Sequence, residues 1–457
     1  MDRAIGLTGR TDEVATVFRS ASWFGMAQAV AVLAGLVLQL LVARTLSPAD
    51  YGRFVLAHSV LLAALVLTAG AVPNALRRLV SLDGGLVRTA LRTVATWQVP
   101  IALLAGAALG VAAAPVARVL GDEPLHAALL IVAAELTVRA GLVEPCWHVL
   151  NGAGRHATQA LLIGSHGLLR LACVAAMLSL APRLGGALAG LLLSALASAA
   201  LALPILLHLA WTSPRPAGDV AIAGELRRWL RLAPGADLLY YLLIAGNLWI
   251  LKAVAADAAE VGVYAACYML AQGLLPAGMV LSRTCFSRVA QLAGRGEGPQ
   301  AAWLVGQVLR LVVPAGVLGV VVAFACGEWI VERLFGTEYA GTGLLLGLTV
   351  CGTGCLALHW FLGEMLAAAN RLRARLGVLA GVAAFSLPVT LLCARSGGPR
   401  GAAAALLMTG AVGVVAAACA LRRALGPFFP RPGREAVPQG TTSLLVGLAV
   451  HRDVNRG

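Results

Sequence analysis

Lysine is nearly missing from this sequence. Lys252 is the only one, so a net charge of +14 is carried almost entirely by arginine. Charge of either sign is scarce: 12% of residues are Asp, Glu, Lys or Arg, against about 25% in soluble domains. With 60% hydrophobic residues and a mean hydropathy of +0.85, the chain has more apolar surface than a soluble fold could hide. It reads as an integral membrane protein. Alternating Thr- and Tyr-rich segments are absent, which excludes an outer-membrane barrel. A soluble basic domain is absent too, so the positive charge is no nucleic-acid footprint. The nine cysteines stand singly, mostly inside apolar runs, with no CxxC or Cys/His metal spacing. Cys351 and Cys355, one helical turn apart, read as small core residues. No Walker, HxxxxD or GxSxG motif is present. No metal, cofactor or bond-breaking chemistry is expected.

What is present is long runs of Ala, Leu, Val and Gly. A membrane span takes roughly 20 apolar residues. Twelve candidates follow: about 20–43, 53–73, 93–114, 125–149, 157–180, 186–211, 233–252, 262–282, 303–326, 341–366, 374–393 and 401–421. The first run is too long for a signal-peptide core and is expected to remain as helix 1. This predicts an all-α polytopic protein: a first six-helix lobe over 1–211, a linker over 212–232, a second lobe over 233–423, and a tail over 424–457. The linker ends in GELRRWLRL, which reads as a short amphipathic surface helix. With the N-terminus inside, cytoplasmic segments hold twenty-four basic residues and outer segments eight. Both termini are therefore expected in the cytoplasm. Trp23, Trp211, Trp229, Trp303 and Trp329 fall near span ends, as interfacial aromatics should.

The two predicted lobes echo one another. Asp50-Tyr-Gly-Arg-Phe54 aligns with Glu260-Val-Gly-Val-Tyr264, so Gly52 meets Gly262 and Phe54 meets Tyr264. Each follows a helix start: Ser47-Pro48-Ala49-Asp50 reads as a capping box with Pro at the first helical position, and Asp257 to Glu260 repeats the cap. Leu120-Gly121 matches Phe335-Gly336, and His148–Arg155 matches Glu364–Arg371. A duplication of six helices keeps the same orientation. It predicts two lobes about an axis along the membrane normal, with a site between them.

At these residues the chain resembles a known family. ARTLSPADYGRF is similar to the R-x-L-G-P-x-x-Y-G-x-F signature of bacterial polysaccharide-biosynthesis flippases, members of the multidrug/oligosaccharidyl-lipid/polysaccharide exporter superfamily. VGVYAACYMLAQGLLP, LFGTEYAGTGLLL and MLAAANRLRARL resemble later signatures, so the likeness runs over about residues 15–425. Ser47 stands where the family usually carries Gly, and Asn247-Leu248-Trp249 where it often has an acidic–basic pair. The resemblance implies two six-helix bundles, a V-shaped cavity and alternating access in the bacterial cytoplasmic (inner) membrane. The implied cargo is an oligosaccharide on a polyprenyl diphosphate, moved from the inner to the outer leaflet. Implied partners are that lipid-linked cargo, anionic membrane lipids, and the polysaccharide polymerase and glycosyltransferases of the same pathway.

A flippase breaks no bond. It needs a wet, cationic cavity, and arginine suits one because it stays charged and grips phosphate oxygens in pairs. Ionisable groups inside spans are costly and mark function. Glu135 and Arg139 lie one turn apart on helix 4, and His166 and Arg170 one turn apart on helix 5. Two readings stand: pairing between helices, or lining the cavity. Glu144 and His148, near Pro145, fall on the opposite side of helix 4 and read as interfacial packing. Asn247 is a further substrate candidate. Arg19 and Arg283 would flank an inward-open cleft if the lobes pack as the resemblance implies. Arg53, one residue into helix 2, reads either as an interfacial anchor or as facing the cavity mouth. Glu135, Asp237 and Glu364 are candidates for ion coupling, and Glu364 could instead close the helix 10–11 turn with Arg371. Pro100, Pro204, Pro276, Pro314 and Pro388 interrupt helices. A drug/cation antiporter of the same superfamily is the competing transport reading. A membrane polymerase or acyltransferase would need a larger outer loop or an intramembrane catalytic set.

Overall fold

The computed structural model describes residues 26–69, 71–82, 86–213, 222–255 and 257–427, and among them there are helices and no strands. In chain order they are α1 (Met26–Thr45), α2 (Pro48–Ala69), α3 (Ala71–Leu82), α4 (Val87–Thr93), α5 (Val99–Val119), α6 (Glu123–Val138), α7 (Glu144–Gly152), α8 (His156–Leu180) and α9 (Leu184–Thr212). The second half holds α10 (Ile222–Val254), α11 (Ala258–Gln272), α12 (Leu275–Gly294), α13 (Gly298–Phe335), α14 (Gly343–Ala368) and α15 (Leu372–Leu425).

Among the described residues, ten helical stretches are long and apolar enough to cross a membrane. The twelve sequence-predicted spans coincide with them once two details are included. The α15 helix is two spans joined at Gly398, whose φ of 55° and ψ of −133° only glycine adopts freely. The predicted eighth span falls on the pair α11–α12, broken at Gly273-Leu274: α11 has only 15 residues, and α12, with 20, carries Arg283 and Arg288 and is not apolar enough to count by itself. The predicted surface helix at 224–232 is corrected: those residues are the first turns of α10, which runs unbroken to Val254.

Two π-helical segments join α4 to α5 (Val94–Gln98) and α6 to α7 (Arg139–Val143). Each is followed within two residues by a proline, Pro100 and Pro145. Proline cannot bond the carbonyl four residues back and collides with it. Those carbonyls, of residues 96 and 141, lie inside the wider π turns, which is how the spans continue through their prolines.

The hydrophobic core forks. One cluster contains residues from both halves, including Tyr51, Phe54, Leu129, Leu188, Leu248, Tyr264, Phe335 and Leu406. It lies toward the end of the bundle where α1 turns into α2. Toward the other end the buried residues divide into two separate clusters. One is built from first-half residues only, such as Leu76, Val149 and Leu206. The other is built from second-half residues only, such as Val289, Phe361 and Leu421. The halves thus share one buried cluster toward this end and keep separate clusters toward the other, where α3 still packs on α10. The main packing between halves is α2 against α10 and α11, with α3 against α10.

Candidate functional site

At the joined end the two repeat motifs meet each other. The predicted caps are in place: Ser47 Oγ accepts from the Asp50 N–H at 3.3 Å, and Asp257 Oδ1 accepts from the Ala259 N–H at 2.9 Å. They start α2 and α11 so that Gly52 lies on Gly262. A Cβ on Gly52 would come within 2.7 Å of the Gly262 nitrogen, and one on Gly262 would overlap the Pro48 carbonyl. Small residues let two membrane helices approach backbone to backbone.

Around this contact each half reaches across. Arg44, at the end of α1, donates to the carbonyls of Leu334 at 2.7 Å and Arg333 at 2.5 Å in the second half. Lys252, at the equivalent end of α10, pairs with Asp122 of the first half at 2.6 Å. Asp122, whose side chain is 2% exposed, also accepts from Arg53 Nε at 2.9 Å, and Arg53 holds Asp50 at 2.8 Å. Tyr51 packs on Phe335 and Tyr339 of the second half, at ring-centroid distances of 6.2 and 6.5 Å.

Deeper in the first half lies a buried ionic cluster, about 15–25 Å from the joined end at 1.5 Å per residue. Arg139 NH2 binds Glu144 Oε1 at 2.8 Å, and its NH1 lies 3.8 Å from Glu135 Oε1. Arg170 NH2 contacts His58 Nε2 of α2 at 3.2 Å, and His166 Nδ1 contacts Ser198 Oγ of α9 at 2.8 Å. Both Glu135 oxygens, 1% exposed as a side chain, lack a hydrogen-bond partner. The placement of Glu144 corrects the sequence reading. Five residues apart on an α-helix, Arg139 and Glu144 would point to different sides. The π turn between them widens to about five residues and brings them onto one face.

In the second half, Thr390 Oγ1 donates to Asn247 Oδ1 at 2.6 Å, and His359 Nδ1 contacts the Gly413 carbonyl at 2.9 Å. A narrow cleft among α10, α14 and α15 is lined by Tyr240, His359, Trp360 and Arg375. Arg375 pairs with Glu364 at 2.6 Å, so the proposed Glu364–Arg371 closure is replaced by a partner one helical turn farther on. Asp237 is half-buried on α10 within electrostatic reach of Arg375.

The structure therefore brings Glu135, Arg139, His166 and Arg170 into one neighbourhood. It sets Arg53 in the joint between halves and Asn247 on a separate buried pair. Arg19 and the side chain of Arg283 lie outside the described residues. Sequence reasoning passed over His58, Ser198, Asp122 and Trp360. Asp122 looks like an N-cap for α6, yet its side chain makes no cap hydrogen bond and serves Arg53 and Lys252 instead. One signal was available: the sole lysine falls in a segment that the charge count assigns to the side where cations are expected to be disfavoured.

Comparison with solved structures gives the fold. The inward-facing conformation of a multidrug resistance MATE family transporter of the MOP superfamily matches with a TM-score of 0.72 at 13% identity, over 86% of this chain and 94% of that one. The lipid II flippase MurJ, in an inward closed conformation, matches with a TM-score of 0.64 at 14% identity, over 87% of each chain. An outward-facing conformation of a multidrug resistance MATE family transporter matches with a TM-score of 0.62 at 14% identity, over 89% of this chain and 95% of that one. No curated protein matches the sequence. A family model described as polysaccharide biosynthesis protein matches residues 17–281, more than half of the chain.

Proposed function

Since the chain belongs to the polysaccharide biosynthesis protein family, we propose that it is the flippase of a surface-polysaccharide pathway. It moves an oligosaccharide linked to a polyprenyl diphosphate from the inner to the outer leaflet of the bacterial cytoplasmic membrane by alternating access. Lobes 1–211 and 233–423 are the moving bodies, both termini are cytoplasmic, and the joined end is the outer gate. Polymerase and glycosyltransferases act on the cargo after and before it.

The observation that carries this reading is the forked core. One shared cluster joins the halves at one end and a separate cluster holds each half at the other, and Arg139 and Arg170 sit inside the first half between these ends. Arginine there can hold a diphosphate while the prenyl tail stays in lipid. The test is reconstitution of the full chain into liposomes carrying a fluorescent polyprenyl-diphosphate oligosaccharide, with leaflet exchange read by an impermeant quencher. Exchange above that of empty liposomes supports the reading, and none overturns it.

A cation-driven drug exporter is the second reading. The observation on its side is Glu135, a buried carboxylate whose oxygens accept no hydrogen bond and could exchange a cation for the Arg139 contact. The same liposomes loaded with ethidium separate the two: ethidium efflux driven by an ion gradient without lipid-linked exchange would select the exporter.

A further inference from the structure

Two hydrogen bonds between the halves, deep in the membrane, have no role in that account. Tyr241 Oη donates to the Ser59 carbonyl at 2.8 Å, and Trp249 Nε1 donates to Ser59 Oγ at 2.7 Å. The two aromatic residues stand about 12 Å apart along α10 at 1.5 Å per residue, yet both reach one residue of α2. Ser59 is buried, 8% exposed. It lies about 16 Å along α2 from Pro48, near the middle of a hydrocarbon core about 30 Å thick. Its chain neighbour His58 is turned about 100° round the helix and contacts Arg170 NH2 of α8 at 3.2 Å. One turn of α2 thus touches the buried arginine with one residue and the second half with the next. His58 has few alternatives. Its ring stacks on Phe54 at 6.4 Å between centroids, and its Nδ1 is buried with no hydrogen-bond partner.

We infer that Tyr241 and Trp249 are positioning residues for Arg170: their clasp on Ser59 sets α2 so that His58 holds the guanidinium, and a diphosphate on Arg170 releases the clasp. This rests on the flippase reading above. A guanidinium grips phosphate oxygens through paired, charge-assisted bonds that one imidazole nitrogen cannot match. Cargo therefore draws Arg170 off His58. That leaves neither ring nitrogen of His58 bonded, and His58 regains a partner only by moving. His58 and Ser59 ride on the same helix, so the movement carries Ser59 with it. The clasp tolerates little of this: a displacement of about 1 Å takes bonds of 2.7 and 2.8 Å beyond hydrogen-bonding distance. Ser59 Oγ also donates to the Leu56 carbonyl at 2.6 Å, so parting from Trp249 strands no hydroxyl. Tyr241 and Trp249 are only half-buried, which gives their donors room to turn aside. The empty protein then keeps its halves tied at mid-membrane, and cargo unties them.

Coupling of this kind is reciprocal: if binding must break the clasp, a protein without the clasp binds more tightly. The experiment is calorimetric titration of the full chain in nanodiscs, with farnesyl diphosphate as the probe. Tyr241→Phe, Trp249→Phe and Ser59→Ala each delete one bond of the clasp. Each should tighten binding about threefold, the usual worth of one hydrogen bond between membrane helices. Tyr241→Phe and Trp249→Phe together should tighten it by roughly tenfold. Farnesol, which has the tail without the phosphates, should show no tightening, and in an Arg170→Ala background the gain for farnesyl diphosphate should vanish. Thermal melts establish which variants are folded. A clasp that is only structural glue would lower the melting temperature and leave the affinity where it was. Unchanged or weakened affinity in the folded variants therefore overturns the assignment. So does an equal gain for farnesol, or a wild-type protein that does not bind farnesyl diphosphate. The two readings fail separately. Tightened binding without lipid-linked exchange keeps the coupling and removes the flippase. Lipid-linked exchange with no change of affinity in the variants keeps the flippase and removes the coupling.

Discussion

A carboxylate taken out of water needs partners, because an isolated buried charge is very costly. Asp122 has two, Arg53 from its own half and Lys252 from the other. Asp122→Asn should leave Lys252 without its counter-charge and Arg53 with Asp50 alone, and so loosen the joint. A cysteine placed at Tyr339, 1% exposed in the intact protein, should then react several-fold faster with an impermeant maleimide. Arg139 and Arg170 differ in the same terms. Arg139 neutralises Glu144 and approaches Glu135, so Arg139→Ala strands buried carboxylates. It should lower the melting temperature, since breaking a buried pair costs about 3–5 kcal/mol. Arg170 touches His58 rather than a carboxylate. Arg170→Ala should therefore stop lipid-linked exchange while the protein remains folded in the membrane. A melt and an exchange assay on both variants check the contrast.

Helices here are shaped by what interrupts them. The π segments let prolines 100 and 145 pass within a span, and the second of them turns Glu144 toward Arg139. The hairpin at Gly398 is sharper, with only that residue outside helical geometry between two spans. Gly398→Ala puts a Cβ where φ is +55° and ψ is −133°. The strain should cost about 1–3 kcal/mol, read as a lower melting temperature with helical content unchanged. The α11–α12 break works differently, since Gly273 remains in the right-handed region. The predicted eighth span is divided there between α11 and α12.

At the scale of the molecule, equivalent pieces of the two halves touch at one end, while toward the other each half keeps its own buried cluster. Gly52 on Gly262, and the crossed reaches of Arg44 and Lys252, form a joint of small residues, hydrogen bonds and ion pairs. Such contacts can part and re-form without unfolding either half. If the joint must open for transport, tying it shut should stop transport. Cysteines at Tyr51 and Tyr339, in a background without the native ones, should be linked by a short bifunctional thiol reagent. Exchange should fall to the level of empty liposomes and return when a cleavable linker is reduced. Full exchange in the linked protein would show that this end is not a gate.

Much of this was legible in the sequence because the membrane sets strong local rules. Apolar length fixed the spans, since every backbone polar group in lipid must be bonded within its own helix. The Ser47 and Asp257 caps and the 52/262 echo were readable because caps and glycines obey short-range geometry. Pairings between helices were not, because they depend on rotations that sequence spacing does not carry. A single π turn decides that Arg139 meets Glu144. Packing decides that Glu364 meets Arg375 rather than Arg371, and that Asp122 serves the opposite half rather than its own helix. The sequence by itself determined a duplicated bundle of membrane helices. Only the tertiary structure decided which copies touch, which end is joined and which buried charges share a site, because those follow from how helices lie against one another in three dimensions.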